Sequence, residues 1–80
     1  MNITMYTKNM CAYCDFAKKL LQNKGLTYNE INVESAQNPK HALLQMQKES
    51  KGRTFPQIIV DGVGIGGYNE LVLYLDQHGG

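Results

Sequence analysis

Cys11 and Cys14 are the only cysteines of the 80-residue chain, and they stand two residues apart in Cys11-Ala12-Tyr13-Cys14. Side chains three apart on a helix have Cβ atoms about 5–6 Å apart. A disulfide wants them nearer about 3.5–4.5 Å, so a small adjustment closes the bond. The pair can therefore cycle between dithiol and disulfide. It also falls where the polar loop Thr7-Lys8-Asn9-Met10 gives way to a helical pattern. The first amides of a helix are unpaired, and its macrodipole presents about half a positive charge there. A thiolate at such a tip has a pKa of roughly 3.5–7.5, against about 8.5 for a free thiol. Lys8, three residues upstream, adds a second positive influence. Cys11, nearer the tip, is predicted to be the exposed nucleophile, and Cys14, one turn inside, the resolving thiol.

Other uses of the pair fit less well. Tetrahedral zinc needs four ligands. Only His41 and His78 remain to complete a set, and not in a His-x-x-x-His spacing, so no metal site is predicted. A purely structural disulfide between such near neighbours closes too short a loop to stabilise much. Each histidine alone reads as a solvated surface residue.

Two further segments carry chemistry. In Arg53-Thr54-Phe55-Pro56-Gln57-Ile58-Ile59-Val60, a proline precedes an apolar run. It cannot donate to a strand ladder, and by itself it reads as an edge-strand proline in trans. In Gly66-Gly67-Tyr68-Asn69-Glu70-Leu71, two glycines open a helix. They permit close approach to its N-terminus, a ready anion site, although alone they are an ordinary turn and cap.

The elements that must position these residues follow from periodicity. Ile3 to Tyr6 is β-prone. From Cys11 to Lys24 the pattern is helical, with Phe16, Ala17, Leu20 and Leu21 assigned to the inner stripe. Gly25 suits the position after the helix end. Leu26 to Val33 alternates as a second strand. Asn38-Pro39 starts a second helix, with Asn as N-cap and Pro at its first position. Its inner stripe is Ala42, Leu43, Met46 and Gln47, and Gly52 ends it. Gln57–Val60 is a third strand, Asp61-Gly62 a hairpin turn, and Val63–Ile65 a fourth strand. Tyr68 to Gln77 is a third helix, with Leu71, Val72 and Leu75 on one face. The order β-α-β-α-β-β-α requires one parallel pair with a right-handed crossover and one antiparallel hairpin. An α/β fold satisfies both: a mixed four-stranded sheet flanked by three helices.

Composition sets the outer bounds. Eighty residues make one domain, spanning 1–80. With 42% hydrophobic and 19% charged residues, the chain reads as globular rather than disordered or collagen-like. No apolar run reaches the roughly 20 residues of a membrane helix. A net charge of +1 and a pI near 7.8 disfavour a dedicated nucleic-acid binder. The opening Met1–Tyr6 has neither the basic flank nor the apolar stretch of a secretory signal, so a reducing cytoplasmic setting is expected. A disulfide-scaffolded secreted domain would also carry more cysteines.

Taken together, Tyr6-Thr7-Lys8, Cys11-Ala12-Tyr13-Cys14, Arg53-Thr54-Phe55-Pro56-Gln57 and Gly66-Gly67-Tyr68-Asn69-Glu70-Leu71 resemble the glutaredoxin family, dithiol type, over nearly the whole chain. The resemblance implies a thioredoxin-like fold with Pro56 in cis, facing the cysteines. It implies a glutathione-dependent thiol–disulfide oxidoreductase with Cys11 and Cys14 catalytic. Glutathione is then a co-substrate, with no tightly bound cofactor. By the same resemblance, Lys8 and Tyr13 flank the glutathione, and the backbone at Thr54, Phe55 and Pro56 meets its cysteinyl unit. Gly67, Tyr68 and Asn69 meet its γ-glutamyl end. The chain carries Ala12 where dithiol members usually have Pro, Phe55 where most have Val, and Asn69 where Asp is common. The implied partners are glutathione and disulfide-containing or glutathionylated proteins, ribonucleotide reductase being a family example. Neither nucleic acid nor a membrane is expected as a partner, and a monomer is expected. Two other functions stay open at this point: holding a [2Fe–2S] cluster with glutathione, and a thioredoxin-like electron donor.

Overall fold

The computed structural model describes residues 1–78. Its elements run β1 (Ile3–Thr7), α1 (Ala12–Asn23), β2 (Asn29–Asn32), α2 (Pro39–Glu49), β3 (Gln57–Val60), β4 (Val63–Gly66) and α3 (Tyr68–Gln77). The strands form one sheet in the order β2-β1-β3-β4. β1 and β2 are parallel, with Tyr6 opposite Ile31, and β1 and β3 are antiparallel, with Met5 opposite Ile58. The β3–β4 hairpin turns at Asp61-Gly62, both at positive φ (50° and 84°), as an Asp-Gly turn prefers. This is the mixed four-stranded, three-helix thioredoxin-like arrangement expected from the sequence.

Strand alternation divides the core into two layers. Ile3, Met5, Ile58 and Val60 point to one face, where Ala17 and Leu21 of α1 and Leu71 and Leu75 of α3 cover them. Tyr6, Val33 and Ile59 point to the other, under Ala42 and Met46 of α2. Truncating a buried leucine such as Leu71 to alanine costs about 2–5 kcal/mol. The Tyr6 hydroxyl donates to Glu49 Oε1 at 3.1 Å, joining the second layer to the end of α2. Burial, followed by that carboxylate neighbour, pushes the Tyr6 phenol up to about 12.

The helix ends follow their local chemistry. Gly25, at φ 69°, sends its amide to the Gln22 carbonyl, and Leu26 sends its own to Leu21. These are the two bonds of a Schellman stop. Asn38 caps α2, its side chain accepting from the His41 amide at 3.2 Å, with Pro39 as the first helical residue. Several boundaries differ from the sequence expectation. Leu26 to Tyr28 is loop, because the parallel ladder begins only where Thr4 meets Asn29. α2 stops at Glu49, since Ser50 is already extended. Leu43 and Gln47 are exposed, because α2 touches the sheet along a stripe one residue wide, Ala42 to Met46. Phe16, assigned to the inner stripe, lies outside both core layers and is 49% exposed.

Candidate active site

The segment entering α1 is fixed before the cysteines are reached. Thr7, at the buried end of β1, donates to Glu30 Oε2 at 2.7 Å, and Lys18 Nζ lies 2.7 Å from the same oxygen. β1, β2 and α1 are thereby tied at one carboxylate. Burial pushes the Glu30 carboxyl up, but hydrogen bonds from Lys18 and Thr7 and the lysine charge prevail, holding it below its ordinary 4.5. The hydrogen bond to Glu30 in turn holds Lys18 above its ordinary value, against the opposing effect of burial. The Asn9 amide donates to Glu34 Oε1 at 2.7 Å, and Asn32 Nδ2 donates to Asn9 Oδ1 at 3.0 Å. Met10 then turns through a left-handed φ of 51° and delivers Cys11 in extended conformation.

Cys11 is the N-cap of α1. Its Sγ accepts the Cys14 amide at 3.2 Å, so the sulfur sits on an otherwise unpaired donor at the helix tip. Cys11 and Cys14 are disulfide-bonded, with Cα atoms 5.3 Å apart. Cys14 is 1% exposed, whereas Cys11 is only partly covered. An incoming sulfur therefore reaches Cys11 first, and Cys14 reaches Cys11 from inside.

The facing wall comes from the entry to β3 and the tip of α3. The Phe55–Pro56 peptide bond is cis. Gln57, buried after it, donates from Nε2 to Thr54 Oγ1 at 3.1 Å and steadies that entry. A Cβ on Gly67 would come within 3.3 Å of the Pro56 carbonyl oxygen, which shows how closely the α3 tip approaches this wall. No side chain at position 67 caps α3; the Glu70 carboxylate instead accepts the Gly67 amide at 2.8 Å.

Between the walls lies a cleft of about 300 Å³. Tyr13, Thr54, Phe55, Pro56, Gly67, Tyr68 and Asn69, all assigned to the ligand from the sequence, line it together with Glu70, which stood in the motif without an assigned role. Lys8 stands at its side, with Nζ 5.9 Å from the centroid of the Phe55 ring. Sequence reasoning also missed the tethers through Glu30 and Glu34, and the place of Phe16. That ring lies 5.7 Å from Tyr13 and 6.1 Å from Tyr68, centroid to centroid.

The glutaredoxin family model matches residues 3–65. The chain is 43% identical over 70 residues to glutaredoxin 1 of Rickettsia bellii, covering 86% of this chain and 71% of that protein. It is 38% identical over 79 residues to glutaredoxin 3 of Escherichia coli, covering 99% and 90%. Among solved structures, glutaredoxin from Brucella melitensis superposes with a TM-score of 0.71 at 35% identity, over 99% of this chain and 82% of that one. A buckwheat glutaredoxin–glutathione complex does so at 0.79 and 25% identity, over 96% and 69%. The fold, the Cys11–Cys14 pair at a helix tip and these likenesses agree: the chain belongs to the glutaredoxin family of thiol–disulfide oxidoreductases.

Proposed function

We propose that the protein is a glutathione-dependent oxidoreductase that reduces protein disulfides and glutathionylated substrates. The observation that carries the reading is the placement of a partly exposed Cys11, bonded to a buried Cys14, at a helix tip beside a cleft of about 300 Å³. The Cys11 thiolate attacks one sulfur of a substrate disulfide. A new S–S bond forms to Cys11, the substrate's S–S bond breaks, and its other sulfur leaves as a thiolate that takes up a proton. Cys14 then attacks Cys11, releasing the substrate's second thiol and forming the Cys11–Cys14 bond. One glutathione thiolate opens that bond at Cys11. A second removes the first as glutathione disulfide, so two electrons pass from two glutathiones to one substrate. On a glutathionylated substrate, Cys11 takes the glutathionyl group and a second glutathione removes it.

The cleft chemistry supports glutathione as the reductant. Its extended cysteinyl unit suits backbone pairing beside Pro56, and its γ-glutamyl carboxylate suits the tip of α3, with Gly67, Tyr68 and Asn69 around it. Lys8 and Tyr13 flank the ligand. The buckwheat relative of this fold is a glutathione complex. Disulfide-bearing enzymes of the cytoplasm, ribonucleotide reductase among them, fit as protein substrates, and the chain acts as a monomer. The test is a glutathione-coupled disulfide reductase assay on the wild type, Cys11→Ser and Cys14→Ser. Saturable turnover with glutathione, lost in Cys11→Ser, is expected. Turnover sustained by a flavoenzyme thioredoxin reductase but not by glutathione would overturn the reading.

A further inference from the structure

Phe16 has no place in the core, yet it is not a bare surface ring. It packs edge-to-face on Tyr13, with centroids 5.7 Å apart and planes at 83°, and lies 6.1 Å from Tyr68. Tyr13 and Tyr68 are themselves 6.0 Å apart. Phe16 is 49% exposed and Tyr13 57%, so the cluster keeps a broad aromatic face open. Tyr13 and Tyr68 also line the cleft beside Pro56 and Gly67. The apolar surface is therefore continuous from the cleft outward to Phe16. Glutathione carries no apolar side chain beside its cysteine, so this outer extension exceeds what the tripeptide needs.

Its reach defines what would use it. Phe16 lies five residues beyond Cys11, about 7.5 Å along the helix at ~1.5 Å per residue. An extended polypeptide covers that distance in roughly two to three residues at ~3.3 Å each. We propose that Tyr13, Phe16 and Tyr68 form a subsite for an aliphatic or aromatic side chain of a polypeptide substrate, two to three residues from its reacting cysteine. Rigid rings suit this task because they offer contact area at low entropic cost. Phe16 thus selects among protein substrates, while glutathione is handled in the inner cleft. The inference rests on the reading of Cys11 as the attacking thiol, and not on which reductant regenerates it.

The test uses pre-reduced protein in single turnovers against three cyclic disulfide peptides. They differ in one residue, two positions after the cysteine: Phe, Ser or Arg. Wild type should reduce the Phe peptide about fivefold faster than the Ser peptide at limiting concentration. Phe16→Ser should bring that ratio close to one, and Phe16→Tyr should retain it. Circular dichroism confirms that the variants fold. An equal rate on the Phe and Ser peptides in wild type would overturn the proposal. So would an unchanged ratio in Phe16→Ser, or preference for the Arg peptide. A wild-type dimer dissociated by Phe16→Ser in sedimentation would reassign the rings to self-association. Turnover of a small disulfide with glutathione is recorded in parallel; its failure would count against the glutathione reading while leaving the peptide ratio readable.

Discussion

Two helix tips border the cleft, and they solve the same electrostatic problem in opposite ways. At α1, the cap is a side chain that reacts: Cys11 Sγ takes the Cys14 amide at 3.2 Å. At α3, the cap is Gly67, which has no side chain to offer, and the Glu70 carboxylate takes the Gly67 amide at 2.8 Å. Both tips present unpaired amides and partial positive charge. The first directs that field at an atom of the chain itself, the Cys11 sulfur, which is bonded to Cys14. The second has no side chain of its own at the cap, and even a Cβ there would come within 3.3 Å of the Pro56 carbonyl oxygen. One tip carries the cysteine pair, and the other is the end to which the glutathione proposal assigns the γ-glutamyl carboxylate.

The largest expected effects come from disturbing the α1 tip. Cys11→Ser should lower disulfide reductase activity by about 10³-fold or more, because no other thiolate can attack. Cys14→Ser should lose reduction of protein disulfides but keep much of its deglutathionylation, since external glutathione resolves that intermediate. Parallel assays with a disulfide protein and a glutathionylated peptide read the split. Equal loss of both activities in Cys14→Ser would give the second cysteine a larger role than resolution.

At the α3 tip a smaller effect is expected. Gly67→Val pushes a branched side chain toward the Pro56 carbonyl, 3.3 Å from even a bare Cβ. The KM for glutathione should rise about tenfold with the alkylation rate of Cys11 unchanged. If both parameters moved together, the two tips would not be separable. Smaller again is Glu70→Ala, which frees the Gly67 amide and removes a carboxylate from the receiving tip. Thermal stability should drop by about 0.5–1 kcal/mol, as for a lost cap, while glutathione binds no more weakly.

The smallest effect lies behind α1, in the tether from Lys18 through Glu30 to Thr7. Glu30 is held below its ordinary 4.5, so its contribution is present above that pH and is lost as acid protonates it in the folded state. The pair is partly solvated, so the contribution is at most about 1 kcal/mol. Glu30→Gln should remove a component of acid destabilisation below that pH, read from urea midpoints across the acidic range. Lys18, held above its ordinary value, keeps its share until alkaline pH deprotonates it.

Legibility from sequence followed the strength of the local physics. Asn38-Pro39, Asp61-Gly62 and Gly25 each force one backbone outcome, and the ends they mark stand where expected. The α3 span also stands as read, since Gly67 and the Leu71–Leu75 spacing agree. The cleft residues came from motif resemblance; no periodicity would bring Tyr13 and Asn69 to one cavity. What failed was helix rotation. Phe16, Ala17, Leu20 and Leu21 span two adjacent faces, and which face is covered depends on where α3 lies. With α3 beside α1, Ala17 and Leu21 meet the sheet and Phe16 is left at the rim with Tyr68. The exposed Leu43 and Gln47 of α2 have the same origin: stripe width is set by the partner surface, not by the helix.

If the α1 tip stabilises a thiolate, reduced Cys11 should be largely ionised near neutral pH. Iodoacetamide alkylation of the reduced protein against pH, with each cysteine followed by peptide mass, tests it directly. Cys11 should titrate with a midpoint below about 7.5 and Cys14 should react slowly throughout. Midpoints near about 8.5 for both thiols would show that the tip does not stabilise a thiolate at Cys11.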